Sequence, residues 1–289
     1  MVDPNTINQN ENPLIKFFRQ PKVYTTLPSQ GQFYAPGTLV IPESKEFPVF
    51  AMTAKDELTM KTPDALLNGQ ATVNLIQSCI PAIKDAWAMP SIDLDAVLIA
   101  IRIATYGESM DLNVKVPKTG DDRTFSVDLR QLLNKLVTVN YETTLQINDM
   151  KLKMRPLTYK EFTEASLKTF EEQRIFAIVN DEKIPEEEKL AKFNESFVKL
   201  TNLTVQTISK CISSISFEDT VVDNQAHIDD FIANADKEFY NFVTEHLDAQ
   251  KEKFQIEPIK VESSDEDIEN GAPASWSIPI TFDQSNFFG

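Results

Sequence analysis

Ile76-Gln-Ser-Cys79-Ile80-Pro-Ala-Ile83 returns later in the chain as Ile208-Ser-Lys-Cys211-Ile212-Ser-Ser-Ile215. Both copies read Ile-x-x-Cys-Ile-x-x-Ile, and they hold the only two cysteines among 289 residues. Apolar residues three and four apart share one face of a helix, so each copy reads as a buried helical face. A second echo precedes each: Thr53-Ala54-Lys55-Asp56 and Thr158-Tyr159-Lys160-Glu161, both following strand-like runs. The shared order predicts one helical module used twice. A duplicated packing unit suits a docking or assembly protein better than an enzyme. Thr158 to Cys211 spans 53 positions against 26 from Thr53 to Cys79, so the second module carries an insertion, placed around Asn180 to Lys192.

Working outward, residues 1–36 read as an N-terminal arm. Pro4, Pro13, Pro21, Pro28 and Pro36 interrupt it, removing donors and blocking helix. Yet it carries Phe17, Phe18, Tyr24, Leu27 and Tyr34, too apolar for a free tail, so it should lie on the body or a partner. Residues 37–137 read as a hairpin-plus-helix module. Its strands are Leu39–Ile41 and Phe47–Phe50, Thr53 is an N-cap, and Thr62-Pro63 starts a short helix that ends at Asn68-Gly69. After the Cys79 helix, Asp93 stands where the next helix needs a cap. Leu94 to Ala104 is apolar all round, which demands an interior position. Alternation in Leu112–Val116 and Phe125–Val127 gives a hairpin, and a helix follows from Asp128.

Residues 138–253 read as the second module. Asn148-Asp149 turns a hairpin. A helix from Tyr159 to Val179 follows, with Phe162, Leu167, Phe170 and Ile178 inward. A second helix begins at Pro185, and its stripe (Leu190, Phe193, Phe197, Leu200, Ile208, Cys211) runs on to Ile215. The last helix covers Asn224 to Lys251, burying Phe231, Phe239 and Phe242 among others. Residues 254–289 read as an acidic leash, disordered between Glu257 and Asn270, that ends in the aromatics Trp276, Phe282, Phe287 and Phe288. The predicted fold class is α+β: mainly a helical bundle with short antiparallel hairpins.

Composition narrows the function. There are 28 basic and 44 acidic residues, a net charge of −16, and such a balance repels phosphate backbones and anionic lipid. Nucleic-acid and membrane partners are therefore not expected. No apolar run is long enough to span a bilayer, and the N-terminal residues lack a signal-peptide layout. Two cysteines on apolar faces point to buried thiols in a reducing compartment.

The search for chemistry is negative. His227 and His246 lie 19 positions apart, about 28 Å along one helix, and neither sits in a metal-ligand motif. With only seven glycines, the chain has no phosphate-binding loop and no nucleophile elbow. No catalytic, cofactor-binding or metal-ligating residues are assigned, and no cofactor is expected. The partner-binding candidates are Phe17, Phe18 and Tyr24 in the arm and Trp276, Phe282, Phe287 and Phe288 in the tail.

A resemblance rests on Leu27-Pro-Ser-Gln-Gly31, Met52-Thr-Ala-Lys-Asp-Glu57, Lys61-Thr-Pro-Asp-Ala-Leu-Leu-Asn-Gly69, Ile76-Gln-Ser-Cys79 and Ile101-Arg-Ile-Ala-Thr-Tyr-Gly-Glu108. With these the chain resembles the baseplate hub and tail-assembly protein family of T-even-type contractile-tailed bacteriophages. The match is densest over residues 24–130, and Lys153-Met-Arg-Pro-Leu157 resembles that family's strand-to-helix entry. Where relatives are expected to carry Cys-x-x-Cys, this chain has Val116-Pro-Lys-Thr119, so no zinc is expected and the turn must be held by backbone bonds and packing. The resemblance implies a non-enzymatic assembly factor, chaperone-like, that binds hub subunits or the tape-measure protein in the host cytoplasm during tail morphogenesis. The alternative it implies is a permanent subunit of the baseplate hub in the virion. Self-association into a homo-oligomer is left open.

Overall fold

Two strands that the arm boundary would separate begin the fold. The computed structural model describes residues 14, 17–61, 69–179, 185–280, 287 and 288. In it β1 (Pro21–Thr25) pairs antiparallel with β2 (Phe47–Phe50). Alternation sends Val23 and Thr25 of one strand and Phe47 and Val49 of the other inward. From Pro21 onward the arm lies on the body, as its apolar content leads one to expect: Pro21 opens an edge strand, a position where a missing donor is tolerated. Leu39–Ile41, expected as a strand, makes only an isolated bridge from Leu39 to Ile83, and Val40 and Ile41 are exposed.

Thr53 then caps α1 (Ala54–Met60), and α2 (Gln70–Cys79) follows. The short helix expected at residues 62–68 lies outside the described residues. Helix α3 (Leu94–Tyr106) is the axis of the first core. Val97, Leu98, Ile99, Ala100 and Ile101 are all buried, which the all-round apolar sequence requires. Strands β1 and β2 with α2 and α4 (Leu129–Val137) pack around it. Between α3 and α4, β3 (Ser109–Lys115) and β4 (Asp122–Asp128) form the expected hairpin. Its turn is closed by main-chain bonds from Val116 N to Asp121 O (2.8 Å) and Gly120 N to Val116 O (2.9 Å).

The second core has its own sheet. Strands β5 (Thr144–Ile147), β6 (Met150–Met154), β7 (Ile212–Phe217) and β8 (Thr220–Val222) pair antiparallel in sequence order. Between β6 and β7 the chain runs out and back as α5 (Tyr159–Val179) and α6 (Glu186–Lys210). Helix α6 ends one residue before Cys211, so the expected continuous stripe to Ile215 is corrected. Ile212 and Ile215 are strand residues, buried by pairing with β6. The expected single last helix is two, α7 (Gln225–Asn234) and α8 (Lys237–Phe254). Ala235 is extended, and the Asp236 carboxylate caps the new start by accepting from Phe239 N at 2.8 Å. His227 and His246 therefore sit on different helices, and Phe242, expected inside, is exposed.

The acidic tail is ordered where a disordered leash was expected. Strands β9 (Ile259–Glu262) and β10 (Ser275–Ile278) pair with each other, with α9 (Asp265–Glu269) between them. Ser264 caps α9 by accepting from Asp267 N. The buried Asp267 carboxylate accepts from Ser264 Oγ at 2.7 Å and pairs with Arg123 of β4 at 2.8 Å. These contacts neutralise and bury Asp267, one of the charges that made the segment look unfoldable. The chain is thus α+β, with nine helices and short antiparallel sheets among the described residues.

Both halves contain an antiparallel strand pair, a Thr-capped helix and a buried cysteine at or just after the end of a further helix. In each, the acid of the Thr-x-Lys-acid element completes the cap. Asp56 accepts from Thr53 N (2.8 Å) and Glu161 from Thr158 N (2.9 Å). In each, an arginine reaches both the acid and the cysteine turn. Arg19 lies 3.5 Å from Asp56 and donates to Ser78 O at 2.6 Å. Arg155 holds Glu161 bidentately at 2.9 Å while its backbone N–H donates to Cys211 O at 2.8 Å. The excess length of the second half is not confined to the helix break. Helices α5 and α6 run 21 and 25 residues where α1 and α2 run 7 and 10.

Candidate protein-docking surface

Helices α5 and α6 lie antiparallel. Glu172 on the first accepts from Ser196 Oγ at 2.9 Å and meets Lys199 Nζ at 3.8 Å on the second. Two helices packed only on each other bury one stripe apiece. The rest of their apolar surface needs a further layer, and the sheet supplies one only near the Cys211 end. Beyond it Phe170, Leu190, Phe197 and Val198 are all more than half exposed, and Phe162 is 45% exposed. The sequence reading placed Phe162, Phe170, Leu190 and Phe197 inward; that is corrected. Helical periodicity reports which residues share a face, not whether anything covers it.

At the root of the hairpin this apolar surface folds into a trough of about 720 Å³. One wall is α5, through Phe162, Ala165, Ser166, Thr169, Phe170 and Gln173. The facing walls are Leu203, Thr207 and Ile208 of α6 and Leu247, Gln250, Lys251 and Phe254 of α8, with Leu94 and Asp95 of α3 closing one end. Gln250 is buried; its Oε1 accepts from Glu142 N at 3.0 Å, while its Nε2 has no acceptor among the described residues. Asp95 makes no hydrogen bond or ion pair among the described residues, and burial pushes its carboxyl up to about 6. An unpaired carboxylate in an apolar wall is costly for the free protein.

Asp93, two residues earlier, has another task. It does not cap α3, as expected, but is fully buried. One oxygen accepts from Ser29 N at 2.7 Å; the other accepts from Ser29 Oγ at 2.6 Å and Tyr34 Oη at 3.0 Å. Burial raises its pKa to about 6 against the lowering effect of those donors, and raises that of Tyr34 as well. The site pins the 27–34 loop onto the first core. Cys79 and Cys211 are buried, and burial pushes both thiols up to about 12, which leaves them protonated and inert near neutrality.

The expected partner-binding aromatics fall into three groups. Phe17, Phe18 and Tyr24 are exposed. Trp276 is half-buried with its ring edge-on to Phe125 at 5.8 Å, and Phe282 lies outside the described residues. Phe287 and Phe288 are 3% exposed and belong to the first core, so the expectation that they project for a partner is corrected. Arg102 donates to Phe287 O and stacks on that ring at 5.1 Å, while Tyr106 Oη donates to Phe288 O at 2.8 Å. The aromatic end of the tail covers its own body. The sequence reading missed the trough because its lining comes from four helices, and no local pattern names such a convergence.

Among the described residues no group of three or more His, Cys, Asp or Glu side chains stands close enough to hold a metal ion. No helix among them is long and apolar enough to cross a membrane.

Fold and surface together define an α+β protein with an apolar helical hairpin turned to solvent. The family model described as T4 bacteriophage base plate protein matches residues 20–262. The chain belongs to that family, and it is a phage baseplate protein. No curated protein and no solved structure gives a significant match.

Proposed function

We propose that this chain is a non-enzymatic assembly factor of the baseplate hub, binding hub subunits or the tape-measure protein while the tail is built. The observation that carries the reading is the uncovered aromatic stripe of the α5–α6 hairpin, Phe162, Phe170 and Phe197. Apolar surface of this kind on an otherwise charged chain marks a protein-binding face. The net charge of −16 keeps such a chain soluble while it holds a sticky partner. Affinity-tagged protein recovered from phage-infected cells is expected to bring identified tail proteins with it. A Phe170→Glu/Phe197→Glu chain of unchanged melting temperature is expected to lose them.

The second reading is a permanent hub subunit. It draws on the same stripe, because exposed aromatics are a lasting solubility liability that permanent burial would remove. Mass spectrometry of purified mature particles separates the two. Absence supports the transient factor, and stoichiometric presence supports the subunit.

A further inference from the structure

We infer that the trough between α5, α6 and α8 docks an amphipathic helix of another tail protein, whose apolar face carries a lysine or arginine that pairs with Asp95. The inference rests on the binding role proposed above and deepens it by naming the partner's chemistry. The lining residues carry the argument for a helix. On α5 they fall at 162, 165/166, 169/170 and 173, on α6 at 203/204 and 207/208, and on α8 at 247/248, 250/251 and 254. Each set is one helical face, so three helix faces converge on one line. The α5 face alone spans eleven steps, about 17 Å or three turns. A fourth helix along that line packs ridges into grooves as in a four-helix bundle.

Charge selects which helix. The trough holds Asp95 and Asp248 against Lys251, and neither carboxylate is ion-paired among the described residues. A cation delivered by the partner removes the desolvation cost that Asp95 bears in the free protein, which a neutral or acidic helix cannot do. A second copy of this chain is disfavoured as occupant, since each copy carries a net charge of −16 and like charge opposes the approach.

Two fluorescein-labelled 18-residue amphipathic peptides test this on the full chain at about 150 mM salt, where long-range attraction is largely screened. They share a leucine stripe and differ only in a lysine or a glutamate at the middle of its edge. Fluorescence anisotropy is expected to give about tenfold tighter binding for the lysine peptide. Asp95→Asn should shrink that ratio severalfold, and Ser166→Arg, at an exposed trough position, should abolish binding. Thr169→Arg provides a second blocking variant should the first melt early. Equal binding of the two peptides, or undiminished binding to both arginine variants, overturns the proposal. So does a wild-type dimer that Ser166→Arg dissociates, because the occupant is then a second copy. If wild type recovers hub or tape-measure proteins from infected cells and Ser166→Arg recovers them equally, the trough is wrong and the assembly role survives. If wild type recovers no tail protein, the assembly role itself fails.

Discussion

Asp93 shows how little a local pattern says about a buried charge. Its place before an apolar helix predicts a cap, yet its carboxylate gathers Ser29 and Tyr34 from a loop 60-odd positions away. A folded-state pKa of about 6, above the ordinary 3.8, means that the folded protein holds this proton more tightly than the unfolded chain does. The associated stability is fully present below pH 3.8 and is lost as pH rises through about 6. The loss is on the order of 3 kcal/mol for a shift of this size. Asp95, raised to about 6 by burial, acts in the same direction over the same window. Urea unfolding from pH 4 to 7 should therefore show Asp93→Asn gaining on wild type as pH rises; parallel curves would reject the assignment. Asp93→Ala leaves the Ser29 N–H and Tyr34 hydroxyl without that acceptor and should cost roughly 2–4 kcal/mol near pH 4, the gap to wild type narrowing as pH rises. At the start of α5, burial works to raise the pKa of Glu161, but the Arg155 and Thr158 donors hold it below the usual carboxylate range. Thr158→Ala removes one half of this cap and should lower stability by about 1 kcal/mol, read from the denaturation midpoint.

Among the elements, the hairpins and the all-buried α3 were legible in sequence, because alternation and an unbroken apolar helix each admit one placement. The boundaries that failed share a cause. At Cys211 and at Ala235 the apolar spacing continues in register across a change of direction. Only the cap residues mark the break, as Asp236 does. The tail failed for a different reason: its charges are spent on a capped turn and an ion pair to Arg123, which composition cannot foresee. The hairpin of α5 and α6 is the instructive case. Its stripe is a stripe, as the spacing predicts, but Phe162, Phe170, Leu190 and Phe197 are exposed rather than covered. Stability measurements should reflect that difference. Phe170→Glu and Phe197→Glu, at exposed positions, should each change unfolding free energy by less than about 0.5 kcal/mol. Leu98→Ala in the first core should cost about 2–5 kcal/mol. Large losses from the hairpin variants would show that the stripe is structural.

The whole molecule is two packed cores joined where β6 runs into α5. There Ser91 N donates to Leu157 O at 2.8 Å, Tyr159 N donates to Met89 O at 2.7 Å, and Tyr159 stacks on Trp87. The C-terminal end closes over the first core, so removing Phe287 to Gly289 should not be neutral. Losing two buried phenylalanines should cost about 3–6 kcal/mol as an upper bound, visible as an earlier thermal transition; an unchanged transition would mean that the pair does not pack on α3. The hairpin keeps Phe162, Phe170 and Phe197 open to solvent, and the account stands on its being the face that other tail proteins grip. The most direct measurement is quantitative mass spectrometry of proteins recovered from phage-infected cells with tagged wild type and with the Phe170→Glu/Phe197→Glu chain, at matched expression and melting temperature. The account predicts that hub or tape-measure proteins are enriched with wild type and fall to background with the variant. Equal recovery of the same tail proteins by both chains would contradict it.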